Sequence, residues 1–222
     1  MVEIKINENT KQLIVKANIF LYGNEANEEI RNLCEKEINN MWNAPMALVW
    51  KANYPYLVQF NIDVFLEKDI DKIMILENTN PKNNFIRVEE FANGNISFVD
   101  GLGSNSGYFK LENLYEGSTT MAHEFGHLMG LPHPLNCDIR GEGEPGIMYP
   151  RGTLVDAKYQ YDETIEAGKP GGTMHPKYRI VTQKDIDELH LDIFFNSTKN
   201  YIGFFSNKYH EAHLNNEAST FV

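Results

Sequence analysis

The chain has 222 residues, 42% of them hydrophobic and 23% charged, which is the composition of a folded globular protein and excludes a disordered or collagen-like one. Its formal net charge of -11, with no basic run to offset it locally, repels phosphate backbones and excludes nucleic acid as a partner. At this length one core suffices, so a single domain over 1–222 and a monomer are expected.

Met1 to Lys16 alternates polar and apolar residues and lacks the basic segment followed by an apolar core that marks a secretory signal. No stretch reaches bilayer-spanning length; the best, Leu57 to Leu66, is broken by Gln59, Asn61 and Asp63. Gln12 to Tyr22 is rich in β-branched and apolar residues and ends at Gly23, which predicts a strand. From Glu25 to Asn43, Ala26, Ile30, Leu33, Cys34, Ile38, Met41 and Trp42 recur at helical spacing, with Pro45 just beyond. Ala47 to Ala52 and Tyr56 to Leu66 read as strands around a turn at Asn53 to Pro55. Phe85 to Phe91 and Asn95 to Val99 read as strands separated by the Asn93-Gly94 turn, and Tyr108 to Leu111 as another. The glycine-rich Asp100 to Gly107 between them reads as a flexible surface loop.

Ser118 or Thr119 is placed to cap a helix running through Met129 and stopped by Gly130. Gly and Pro then concentrate in Leu131 to Lys177, which predicts loops. A last helix is expected from Thr182, its cap, through Leu191. This divides the domain into an upper part (about 1–130), a lower part (about 131–195) and a tail (about 196–222).

The chemistry lies in His123-Glu124-Phe125-Gly126-His127, an HExxH pentapeptide inside a predicted helix, so that both imidazoles share one face one turn apart. Catalytic zinc usually takes three protein ligands and keeps a fourth position open for water. Gly130 can adopt the left-handed conformation that turns the chain back, which brings His133 to the same metal. One zinc on His123, His127 and His133 is expected, with Glu124 as general base and acid in peptide-bond hydrolysis.

The full string HEFGHLMGLPH resembles the zinc signature HExxHxxGxxH of the metzincin metallopeptidases, matching at His123, Glu124, His127, Gly130 and His133. Gly146-Ile147-Met148-Tyr149-Pro150 is similar to the matrixin form of the Met-turn, Val181 to Ile186 resembles the opening of the matrixin C-terminal helix, and Pro134 is more like serralysins. The resemblance implies a zinc endopeptidase of matrixin-like type. Its fold would be an α/β (α+β) zincin catalytic domain: a twisted mixed sheet with an edge strand, an active-site helix, a Met-turn carrying Met148 and a C-terminal helix. It further implies an extended protein or peptide substrate paired antiparallel to an edge strand, here Asn95 to Leu102, with Pro150 to Thr153 walling the pocket for the residue after the cut. Secretion or export is the expected location, although the chain carries no signal peptide.

Other groups carry weaker signals. Cys137 could approach the zinc, but catalytic zinc keeps a position open, so Cys137 reads as a loop thiol and Cys34 as a core thiol. Tyr149 directly follows Met148, whereas the metal-touching tyrosine of astacins and serralysins comes two residues after the methionine, so by this resemblance Tyr149 should pack in its turn. Asp100, Asn105, Asp138, Glu142 and Glu144 could offer oxygen ligands to Ca2+, though no spacing singles out a site. His175, His190, His210 and His213 make no ligand pattern. Two rival functions stay open here: a catalytically silent module that keeps zinc as a structural element, and a delivered toxin or effector peptidase.

Overall fold

The computed structural model describes residues 1–214. In chain order it contains β1 (Val2–Asn7), β2 (Gln12–Tyr22), α1 (Glu28–Asn43), β3 (Leu48–Lys51), β4 (Tyr54–Leu66), α2 (Lys72–Leu76), β5 (Asn83–Glu89), β6 (Phe98–Val99), β7 (Ser106–Lys110), α3 (Thr120–Leu128), α4 (Gln183–Asp187) and β8 (Tyr201–Ile202). The strands form one mixed sheet, so the class is α+β. Its order is β3-β4-β2-β5-β7-β6, and β1 lies beside the first half of β2 with β8 at its outer side.

The long strands β2 and β4 run parallel in register from Gln12 beside Leu57 to Leu21 beside Leu66. A connection between parallel neighbours requires a crossover, which α1 supplies. Alternation then decides the faces. Tyr56, Val58, Phe60, Ile62 and Val64 of β4 are buried while the intervening residues face solvent. On α1, Ile30, Cys34, Ile38 and Trp42 bury the opposing stripe. Asn27 caps this helix by accepting from the Ile30 amide at 3.0 Å, which moves its start three residues past the expected Glu25.

Beyond Leu57, β4 has no strand on its outer side, and polar side chains of α1 cover the open backbone there. Asn43 accepts from the Phe60 amide (2.8 Å) and donates to its carbonyl (2.9 Å). Asn39 does the same at Ile62 (3.1 and 2.8 Å), while Glu35 and Arg31 take the Val64 amide and carbonyl (3.0 and 2.7 Å). One helical stripe thus replaces a missing strand.

Three expectations change. The strands around Asn93-Gly94 are not neighbours: β7 lies between them, parallel to β5 and antiparallel to β6. Asn93–Asn95 is a single 3-10 turn, with Gly94 and Asn95 at positive φ, so the edge strand shrinks from Asn95–Leu102 to Phe98–Val99, at the sheet's edge. The last helix stops at Asp187, and left-handed His190 separates it from a 3-10 turn over Leu191–Phe195. The elements α2 and β8 are too short to carry a periodicity, while β1, whose residues Val2 to Asn7 do alternate, was read only as arguing against a secretory signal. The segment after α3 is largely irregular and holds its own small cluster of Ile139, Val155, Tyr159 and Met174. Among the described residues no helix is long and apolar enough to cross a membrane.

Candidate metal centre and its cleft

The helix α3 is buried along its whole length, and α1 holds it from below. Trp42 donates its indole N–H to the Ala122 carbonyl (3.0 Å), and Glu37 accepts from the Ala122 amide (3.1 Å). At the other end Gly130, at φ 97°, lets the Leu131 amide return to the Gly126 carbonyl (3.0 Å), so the chain reverses and brings His133 back over the helix.

His123 Nδ1 lies 2.7 Å from the Ile147 carbonyl, and His127 Nδ1 lies 2.7 Å from the Leu131 carbonyl. A carbonyl only accepts, so each Nδ1 carries the ring hydrogen and each Nε2 presents a lone pair. Both lone pairs point at His133 Nε2, at 3.0 and 3.1 Å, and one donor atom from each ring lies within 4.8 Å of the others. A tetrahedral zinc with bonds of about 2.0–2.1 Å spreads its ligands about 3.3 Å apart, so the rings need to part by only a few tenths of an ångström to admit it. Burial holds all three imidazoles below their ordinary range, His127 at about 4, which keeps them in the neutral ligating form near pH 7. The three residues fit the metal the sequence anticipates.

Glu124 lies outside this trio but lines the same cleft, of about 740 Å³. Burial pushes its carboxyl up to about 8, against the opposing pull of Arg179 and of the Val99 backbone. Met148 packs under α3 so closely that a side chain at position 126 would meet its Sδ, and the preceding Ile147 carbonyl holds His123. The Tyr149 amide closes the turn onto the Gly146 carbonyl (3.2 Å), while its ring packs on the Ile139 cluster. On the upper side the cleft is lined by Asn95 to Val99, Gly101 and Leu102.

Cys34 and Cys137 are both free thiols. Among the described residues, the three histidines alone form a group of three or more His, Cys, Asp or Glu side chains placed to hold an ion. Two of the acidic loop residues have other partners: Asp138 pairs with Arg140 (2.6 Å), and Asp100 with Lys208 (3.0 Å) and His210 (2.8 Å). His213 stacks on Tyr108 at 3.9 Å. Sequence reasoning missed Glu37 and Arg179. Neither stands at any recognisable spacing from the motif, and Arg179 reaches the cleft only because the Ile180 amide bonds the Pro145 carbonyl (3.0 Å), beside the turn carrying Met148.

No protein-family model matches the chain, and no curated protein does. A solved structure that matches is that of myroilysin, 11% identical, covering 83% of this chain and 94% of that one with a TM-score of 0.39.

Proposed function

We propose that this chain is a zinc-dependent endopeptidase of metzincin type, closest to matrixins. The observation that carries the reading is the convergence of three neutral imidazole Nε2 atoms, two of them bared by carbonyls at Nδ1, in a cleft that also holds the buried carboxyl group of Glu124. Zinc, when bound, supplies Lewis acidity toward a peptide carbonyl and lowers the pKa of water.

The chain's own groups do the rest. Glu124 takes a proton from the attacking water and returns it to the departing amine; burial by itself favours its protonated form near pH 7, and the charge of a bound dication would add to that of Arg179 in favouring the carboxylate this role needs. The outer backbone edge of β6 offers an extended peptide a short antiparallel partner. Ile147 and Leu131, through their carbonyls, fix the ring orientations of His123 and His127. Met148 serves as the Met-turn methionine.

Metal analysis and peptide-library cleavage of the wild type and two variants test the roles. Glu124→Ala should keep near-stoichiometric zinc yet lose turnover by on the order of 10²-fold to 10⁴-fold. His133→Ala should lose zinc affinity together with activity, because two imidazoles hold a catalytic zinc less well than three. A Glu124→Ala protein with wild-type turnover, or one emptied of zinc, overturns the assignment. Zinc-loaded wild type that leaves every peptide intact points instead to a silent binding module.

A further inference from the structure

One end of the cleft is cationic. Arg151 and Arg179 line it beside Thr120, the first residue of α3. Arg179 is only 4% exposed; among the described residues its Nε has no hydrogen-bond partner, and its side chain makes a long 3.4 Å contact from Nη1 to Thr119 Oγ1. Arg151 reaches Thr120 Oγ1 at 3.3 Å. Burial first, and then the like charge of Arg151, pull the Arg179 pKa down to about 10. Glu124 and Glu37 attract Arg179 through space, but among the described residues neither makes a hydrogen bond or ion pair with it, and Glu37 accepts from the Ala122 amide instead. A buried guanidinium with an unpaired N–H is costly, and an anion that accepts from it relieves the cost.

The direction of a bound peptide follows from β6 and α3. Val99 lies against Glu124, and four residues on, the Gly103 amide donates to the His127 carbonyl (2.7 Å), so the β6 segment advances alongside α3 in the same sense. A peptide antiparallel to β6 therefore runs from the His127 end toward the Thr120 end. Residues after the scissile bond meet the two arginines.

Resting on the peptidase reading, we propose that Arg179, with Arg151 beside it, forms a carboxylate-binding subsite for the residue that follows the cleaved bond. The carboxylate comes either from an Asp or Glu side chain or from the α-carboxylate of a C-terminal residue; a guanidinium fork suits both.

Once a library has located a cut, kcat/KM is measured on matched quenched peptides with Glu, Gln or Leu after it, and on peptides ending at that residue as free acid or amide. We expect Glu over Gln, or acid over amide, by at least about 10-fold, as loss of one member of a desolvated charge pair requires; the arm that responds names the source. In Arg179→Gln that ratio should fall to within about 2-fold of unity. Because it is taken within one protein, it is insensitive to the fraction folded, and Arg151→Gln, which should reduce it less, covers a variant that fails to fold. Equal cleavage of all five peptides by the wild type, or a preference unchanged in both variants, overturns the subsite while leaving the peptidase reading standing. A library left whole by zinc-loaded protein overturns both.

Discussion

Replacing Gly by Ala inside a helix ordinarily stabilises it by about 1 kcal/mol. At Gly126 the sign should reverse, because a methyl there would enter the space of Met148 Sδ, with Trp42 close behind at 3.4 Å. Gly126→Ala is expected to cost about 1–3 kcal/mol, the range for overpacking a filled core, read from the urea midpoint. Met148→Leu, nearly volume-conserving, should cost under about 1.5 kcal/mol. A stabilised Gly126→Ala protein would show that Met148 does not press on the helix. At this scale the sequence was most legible where chemistry demands fixed spacing: His123, His127 and His133 meet as the motif implies. Arg179 was illegible, since nothing in His175 to Ile180 marks that arginine as buried with an Nε that has no partner among the described residues.

The element α1 was predicted from its apolar stripe, yet its polar stripe does as much for the sheet. Arg31, Glu35, Asn39 and Asn43 are four residues apart and satisfy the uncovered edge of β4. In a chain rich in asparagine, that spacing carried no signal until the tertiary structure supplied the strand opposite. Asn39→Ala removes partners from both the amide and the carbonyl of Ile62 and should cost about 1–3 kcal/mol. Asn40→Ala, one position around on the exposed face, should stay within about 0.5 kcal/mol of wild type. Equal denaturation midpoints for the two variants would remove the edge-covering role. The same logic shortened the elements that sequence drew too long. The segment Asn95–Leu102 alternates like a strand, but the left-handed residues Gly94 and Asn95 and the close crossing at Gly107 leave only Phe98–Val99 in the ladder.

Across the whole molecule, the tail returns to brace the rim of the cleft. The Phe204 amide bonds the Gly103 carbonyl (2.8 Å), Ser206 and Asn207 gather around Asn105, and Lys208 and His210 hold Asp100. The glycine-rich stretch predicted as a flexible surface loop is therefore buried at Ser104 to Ser106. Burial would raise the Asp100 pKa, but the bonds from His210 and Lys208 prevail and hold it below the ordinary 3.8. A depressed carboxylate contributes stability that is present above its unfolded pKa and lost as pH falls through the folded one. Asp100→Asn should thus be less stable than wild type at pH 7, with the gap closing below about pH 4, as urea midpoints at the two ends would record. A gap independent of pH would mean that the charge of Asp100 contributes nothing. The sequence by itself determined the trio of histidines placed to hold an ion, the helix that carries two of them and the long strands, because helical spacing, strand alternation and a glycine stop are local constraints. Only the tertiary structure decided the strand order, the bracing of the rim by the tail and the meeting of Arg151 and Arg179 at the start of α3. Those depend on contacts between segments far apart in the chain, which local periodicity does not encode.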